Sequence, residues 1–428
     1  MKLNHLRSVS LSLAAVLVTA PAALALDAND FSQKLAAEYG ATSSAKLALG
    51  TASVNGSDIS FDGATITPGD GKPVAIKSQL TFHNVAEGGD GSYTADSLTL
   101  PDGDYPVEGG DVSVKNISFT HIYVANSSAS GTLGSTRMIG GMSIGPITYS
   151  SNGATVATIA SITVNNGFKP SQTDANLTEL DSNGSATGLA IDLSKVKDPD
   201  VQAQSQALGI TQLNGQVAEQ ISWSLADGHV KASEVSVGFD NLGKLNLAFD
   251  ITGYTPAFVQ TLMAAGQSMS ASGADSQAAT AQLMAAAQKL FVNGVSIRFD
   301  DASLTNKLLD YAAKQAGTSH DDYVKALISA SGGMTSGAGL PPSLAGLAQA
   351  AISAYLTDPH SLEVRLQPAA PVGVLDFMAA AMQPDNLVKA VGLKVLVNDK
   401  EVVASGAGDS SGAAASSTDD NSGDSSGN

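Results

Sequence analysis

Between Val217 and Tyr254 the chain reads VAEQISWSLADGHVKASEVSVGFDNLGKLNLAFDITGY. Leu245, Leu247, Phe249 and Ile251 alternate with Lys244, Asn246, Ala248 and Asp250. A strand repeats every second residue, so this pattern turns one face to apolar matter and the other to water. Val235, Val237 and Phe239 alternate in the same way, as do Ile221, Trp223 and Leu225. Asp227-Gly228 and Asn241-Leu242-Gly243 supply the turns. The expectation is a three-stranded antiparallel meander. Its candidate apolar ligand face is Trp223, Leu245, Leu247, Phe249 and Ile251.

The texture on either side differs. Residues 27–39 predict a short helix, with Phe31, Leu35 and Tyr39 on one side and Asn29 or Asp30 as its cap. From Leu47 to Val164 the pattern predicts strands at Ile59–Ile66, Ala75–Val85, Ser92–Leu100, Asp111–Val124, Met142–Tyr149 and Thr155–Val164, separated by Gly, Pro, Asp and Asn turns. The polar stretches 125–137 and 165–187 read as loops. Helices dominate after Tyr254: from Thr255-Pro256, from Ser276 to Phe291, over 301–315, from a Thr318/Asp321 capping box, and from Pro342 to Leu356. Residues 331–341 read as a Gly/Ser loop, and strands are expected at Ser361–Leu366 and Gly392–Val397. The fold class is therefore α+β and elongated. An extended antiparallel sheet or sandwich-like amino-terminal half (27–200) leads into a meander with a helix-rich carboxy-terminal half (201–400). Residues 404–428 contain only Ala, Gly, Ser, Thr, Asp and Asn, and predict a disordered acidic tail.

Residues 1–25 have the form of a secretory signal: Lys2 and Arg7, an apolar run through Val18, and Ala23-Leu24-Ala25 as the cleavage pattern. A periplasmic or secreted location follows, with maturation before Leu26 and no transmembrane segment in the mature chain. Cysteine is absent, which excludes disulfides, thiol catalysis and thiolate metal sites. Losing Lys2 and Arg7 takes the net charge from -18 to -20, which disfavours nucleic acid as a partner. Val54–Thr67 and Val292–Thr305 match at eight of 14 positions, more in keeping with a shared local form than a duplicated half.

Chemistry is sparse. His83, His121, His229, His320 and His360 show no metal-ligand spacing, although His83 and His121 fall in predicted strands that could bring them together. Asp90, Asp102, Asp104 and Asp181 sit in turns that suit Asx geometry better than calcium. Ser143 lies in a G-x-S-x-G string without the helix a nucleophile elbow needs. Asp240, Asp250, Asp300 and Asp301 are strand-end carboxylates, any two of which would have to face each other to act as an acid pair. No cofactor motif is present. Methionines recur in the carboxy-terminal helical half, as at Met263, Met284 and Met378, and methionine adapts to irregular apolar partners.

The Trp223-x-Leu225…Asp227-Gly228-His229-Val230 and Asn241-Leu242-Gly243-Lys244-Leu245…Phe249-Asp250-Ile251-Thr252-Gly253-Tyr254 patterns, with Val295–Leu309 and Leu362–Val397, resemble uncharacterised secreted proteins of rhizobia and related alphaproteobacteria. The resemblance covers residues 205–400, and 50–124 more weakly. A long meander with a helical cap is also similar, at the level of fold, to AsmA-type envelope proteins that carry lipids in a groove. Secretion, a long β region and the lack of a catalytic constellation predict a non-enzymatic protein of envelope maintenance or lipid handling, whose partner is a lipid. The alternatives are a structural module binding another envelope protein and a carboxylate-dependent hydrolase.

Overall fold

The computed structural model describes residues 26–42, 46–67, 71–126, 139–170, 178–270, 276–337, 341–381 and 388–403. The predicted signal segment, most of the predicted 125–137 loop and the acidic tail lie outside the described residues.

Fifteen strands pair antiparallel in chain order. They are β1 (Thr51–Asn55), β2 (Asp58–Asp62), β3 (Leu80–His83), β4 (Tyr93–Leu100), β5 (Ile117–Val124), β6 (Ile139–Ile144), β7 (Ser161–Pro170), β8 (Thr178–Asp192), β9 (Gln212–Ser224), β10 (His229–Phe239), β11 (Gly243–Thr252), β12 (Phe291–Asp301), β13 (Ser361–Leu366), β14 (Leu393–Val397) and β15 (Lys400–Glu401). Each pairs with the next. No pairing among the described residues joins the two ends, so the ladder is open and not a closed barrel. Strands Gly103–Val107, Gly110–Val114, Ile147–Ser151 and Ala154–Ile159 form a side branch that reaches β8 at Ala157–Ile191. The tight β9–β10 turn depends on Gly228: its φ is +68°, and an added Cβ would lie 2.4 Å from the Thr255 nitrogen.

The predicted meander is β9–β11. The predicted 165–187 loop is corrected: β7 and β8 pair from Ser161–Thr187 to Pro170–Thr178. Asn, Gly and Ser weaken the strand signal there, but the ladder supplies backbone partners on both sides. The boundary expected near residue 200 falls at the helix Pro199–Leu208, while the ladder continues from β8 to β9 past it. Five predicted strands are each split: Ile59–Ile66 at Gly63-Ala64, Ala75–Val85 into Val74–Ala75 and Leu80–His83, Asp111–Val124 into Gly110–Val114 and Ile117–Val124, Met142–Tyr149 at Gly145-Pro146, and Thr155–Val164 at Ala160. The repeated Val-Asn-Gly also diverges. Asn55-Gly56 is the β1–β2 turn, whereas Asn293 is the extra residue of a bulge inside β12. The helix expected to reach Phe291 therefore ends at Ala287, and Phe291 opens β12.

Helix α1 (Ala28–Thr42) is capped by Asp27, whose Oδ1 accepts from the nitrogens of Asn29 and Asp30 at 3.0 Å, rather than by either of those residues. Its Phe31 and Leu35 enter the main core with Ile59, Phe61, Phe82 and Tyr93. Asp30 is held below its ordinary value by hydrogen bonds from Lys34 and the Tyr93 hydroxyl. Helix α2 (Pro199–Leu208) is capped by Asp198. Helices α3 (Pro256–Ser270) and α4 (Ser276–Ala287) pack on each other, and Thr255 Oγ1 accepts from the Phe258 nitrogen to start α3 as predicted. Helices α5 (Leu304–Gln315), α6 (His320–Gly337) and α7 (Pro342–Thr357) follow. The α6 capping box is Ser319 with Asp322, one residue later than predicted, and the helix runs into the stretch expected as a loop. Helix α8 (Val374–Ala381) lies between β13 and β14 in the chain. Leu347, Ala351 and Tyr355 of α7 pack with Leu362, Val395 and Val397 in a second core.

Candidate functional site

In an antiparallel ladder directly opposed residues share a face. One row can be followed from β1 to β14: Val54–Ile59–Phe82–Leu98–Phe119–Met142–Val164, then Gly184–Glu219, then Val235–Leu247–Ile297–Val364–Val395. Fourteen strands at ~4.8 Å spacing make this floor about 60 Å long. A neighbouring row, Ile144–Ile162–Ala186–Val217–Val237–Leu245–Phe299–Leu362–Val397, is apolar throughout.

The two ends of the floor are roofed. Beneath α1 the roof leaves a cavity of about 290 Å³, lined by residues including Leu35, Tyr39, Leu80, Phe82, Leu98 and Phe119. None of its thirteen lining residues is charged, and the Tyr39 hydroxyl is the sole side-chain polar group. The volume sits at the lower edge of the ~300–1,000 Å³ typical of small-molecule sites. At the far end α7 covers β13 and β14. Between the roofs the face is more open: Val217, Leu245 and Ile297 are 39–49% exposed. Exposed apolar side chains grouped in this way make the face a candidate contact surface.

All five residues of the predicted ligand face lie on this side of the ladder. Leu245 belongs to the second row and Leu247 to the first. Phe249 pairs with Ala232 and Val295, while Trp223 and Ile251 both pair with Val230. Trp223 is partly committed to packing: its indole nitrogen donates to the Tyr254 carbonyl at 2.9 Å, and a Trp223–Tyr254–Phe258 ring series anchors the start of α3. The cavity under α1 was not legible in the sequence, because its lining comes from residues as distant as Leu35 and Ile139.

The opposite face is polar, and its buried carboxylates are paired. Glu363 is buried beside Ser296, Arg298 and Arg365. Burial pushes its carboxyl up, but hydrogen bonds from Ser296 and Arg365 outweigh this and hold it below the ordinary value. Burial likewise pushes Asp250 up, and hydrogen bonds from Asn293 and His229 reverse the shift. Asp300 pairs with Arg298, and Asp301 accepts from the Thr305 nitrogen at the start of α5. Asp250 lies opposite Gly294 and Asp300 opposite Lys244, six residues along β11. That spacing is about 20 Å, beyond the ~5–9.5 Å of a glycosidase pair.

The other candidates are similarly occupied. Asp90 accepts from Ser92, Asp102 from the Asn116 nitrogen, and Asp181 pairs with Lys169. His83 pairs with Asp58, and His121 lies two strands away on β5. Among the described residues no group of three or more His, Asp or Glu is placed to hold a metal. Ser143 sits in β6 with a further strand after it. No helix among the described residues is long and apolar enough to cross a membrane.

No curated protein matches the chain. Over residues 236–398, which include β11–β14 and the helices from α3 to α8, the chain is similar to a family described as "Uncharacterized protein".

Proposed function

We propose that the protein binds the hydrocarbon chains of envelope lipids on the apolar face of its sheet, with one chain entering the cavity beneath α1, and that it does so without catalysis in the periplasm. The observation that carries this reading is the cavity: an uncharged space whose single side-chain hydroxyl leaves little for a polar ligand to engage. The floor continues beyond it as apolar rows, so a chain need not end at the cavity wall. Burial of each methylene is worth about 0.8 kcal/mol, so a chain of ordinary length supplies ample affinity. The expected result is that native mass spectrometry of protein purified from its own periplasm finds lipid bound in near-stoichiometric amount, released by organic solvent. Lipid-free protein that also takes none from vesicles would sink the reading.

A second reading, a module that docks another envelope protein, is favoured by α3 and α4. Their described residues carry no charged side chain, and Leu262, Met263 and Met284 are 42–44% exposed. A co-purified protein in the same spectrum, in place of lipid, would select it.

A further inference from the structure

The first apolar row is broken at one place. Gly184 on β8 faces Glu219 on β9, with Val164 and Val235 on either side. The Glu219 side chain lies over β8: a Cβ built on Gly184 would stand 2.7 Å from its Cγ and Oε1. Ser182, 9% exposed, points its hydroxyl at Glu219 Oε1 across 3.4 Å. Asn166 lies opposite Ser182 on the same face and gives an amide proton to the Ile139 carbonyl at 2.9 Å. These three residues make a polar island partway along the floor. Apolar side chains border it, with Ile162, Ala186 and Val217 on one side and Phe168, Leu180 and Trp223 on the other.

The chemistry of the island is that of an acceptor. The Ser182 proton is directed at Glu219, one Asn166 amide proton is used within the fold, and the carboxylate dominates what remains. Among the described residues no Lys, Arg or His nitrogen forms an ion pair with Glu219, whereas Glu363 on the opposite face has two arginines. A carboxylate covered by hydrocarbon without a cation loses its hydration with nothing to offset the loss. A ligand lying on this floor must therefore bring a positive donor to that point or leave it wet.

Resting on the lipid-binding reading, we propose that Glu219, with Ser182 and Asn166, is the headgroup position of the face, and that it takes the primary ammonium of an ethanolamine-type phospholipid while the chains lie on the apolar rows. The chain's net charge of -18 acts in the same direction, repelling headgroups that carry a phosphate without an amine.

The full chain, delipidated and incubated with vesicles of equal phosphatidylethanolamine and phosphatidylglycerol, would be recovered and its lipid extracted. The ethanolamine lipid should be enriched about tenfold, the size of one charge-assisted contact. Glu219→Gln should abolish the enrichment without changing total lipid per chain, and Glu219→Asp should retain it. Equal uptake of both lipids by the unaltered chain, or a preference that survives in Glu219→Gln, overturns the assignment while leaving lipid binding intact. No uptake of either lipid overturns both.

Discussion

Replacing Phe31 with alanine should lower the stability of the protein by about 3–5 kcal/mol, the usual result of removing a buried phenyl ring. Phe31 is 0% exposed and meets three rings: Phe82 at 5.1 Å and Tyr93 at 5.4 Å, both edge-on, and Phe61 at 6.2 Å, stacked. Edge-to-face pairs add about 0.5–1.5 kcal/mol each beyond the buried area. The position matters as much as the ring. Phe31 and Leu35 fasten α1 to the sheet, and α1 roofs the cavity. Urea unfolding of Phe31→Ala should therefore show the stability loss, and the folded fraction should release its lipid faster. A loss below about 1 kcal/mol would mean that α1 is not fixed by this contact.

Leu98→Trp should act on the ligand more than on the fold. Leu98 lies between Phe82 and Phe119 in the first row and lines the cavity. An indole there occupies the space a chain would use. Overpacking typically costs about 1–3 kcal/mol, a cost that existing free volume should keep at the low end. Bound lipid should fall at least about tenfold, the factor expected from losing two buried methylenes. Leu308→Trp is the control, since Leu308 on α5 is itself 46% exposed, and should leave lipid content unchanged. Equal lipid in both variants would remove the cavity from the account.

Strong local alternation made part of this molecule readable in advance. β9–β11 could be read because Leu245, Leu247, Phe249 and Ile251 repeat without interruption and the turns are short. Helix α3 was marked by its Thr255-Pro256 start. The link between the two halves was hidden because β7 and β8 carry Asn166, Ser182 and Gly184 on a face that is apolar elsewhere, and those residues also favour turns. Local pattern also misled at Asn293-Gly294: the same dipeptide that turns the chain at Asn55-Gly56 is absorbed in β12 as a bulge, because β11 and β13 hold that strand on both sides.

The candidate face was half legible. Its carboxy-terminal part appeared as an alternating strand, and the register shows those side chains aligned with others on thirteen further strands. The cavity depends on contacts between Leu35, Leu98 and Ile139, residues far apart in the chain, so no local window contains it. Glu219 was in plain view among alternating residues, but its meaning depends on two neighbours, Gly184 and Ser182, contributed by a strand that the sequence disguised.

The most direct measurement is a crystal structure of the protein purified from its native cells without delipidation. The account predicts continuous, unbranched density between α1 and the row Phe82–Leu98–Phe119, extending from the cavity onto the sheet. A cavity that is empty or closed by side chains in protein at full occupancy, with lipid absent from the same sample, would contradict it.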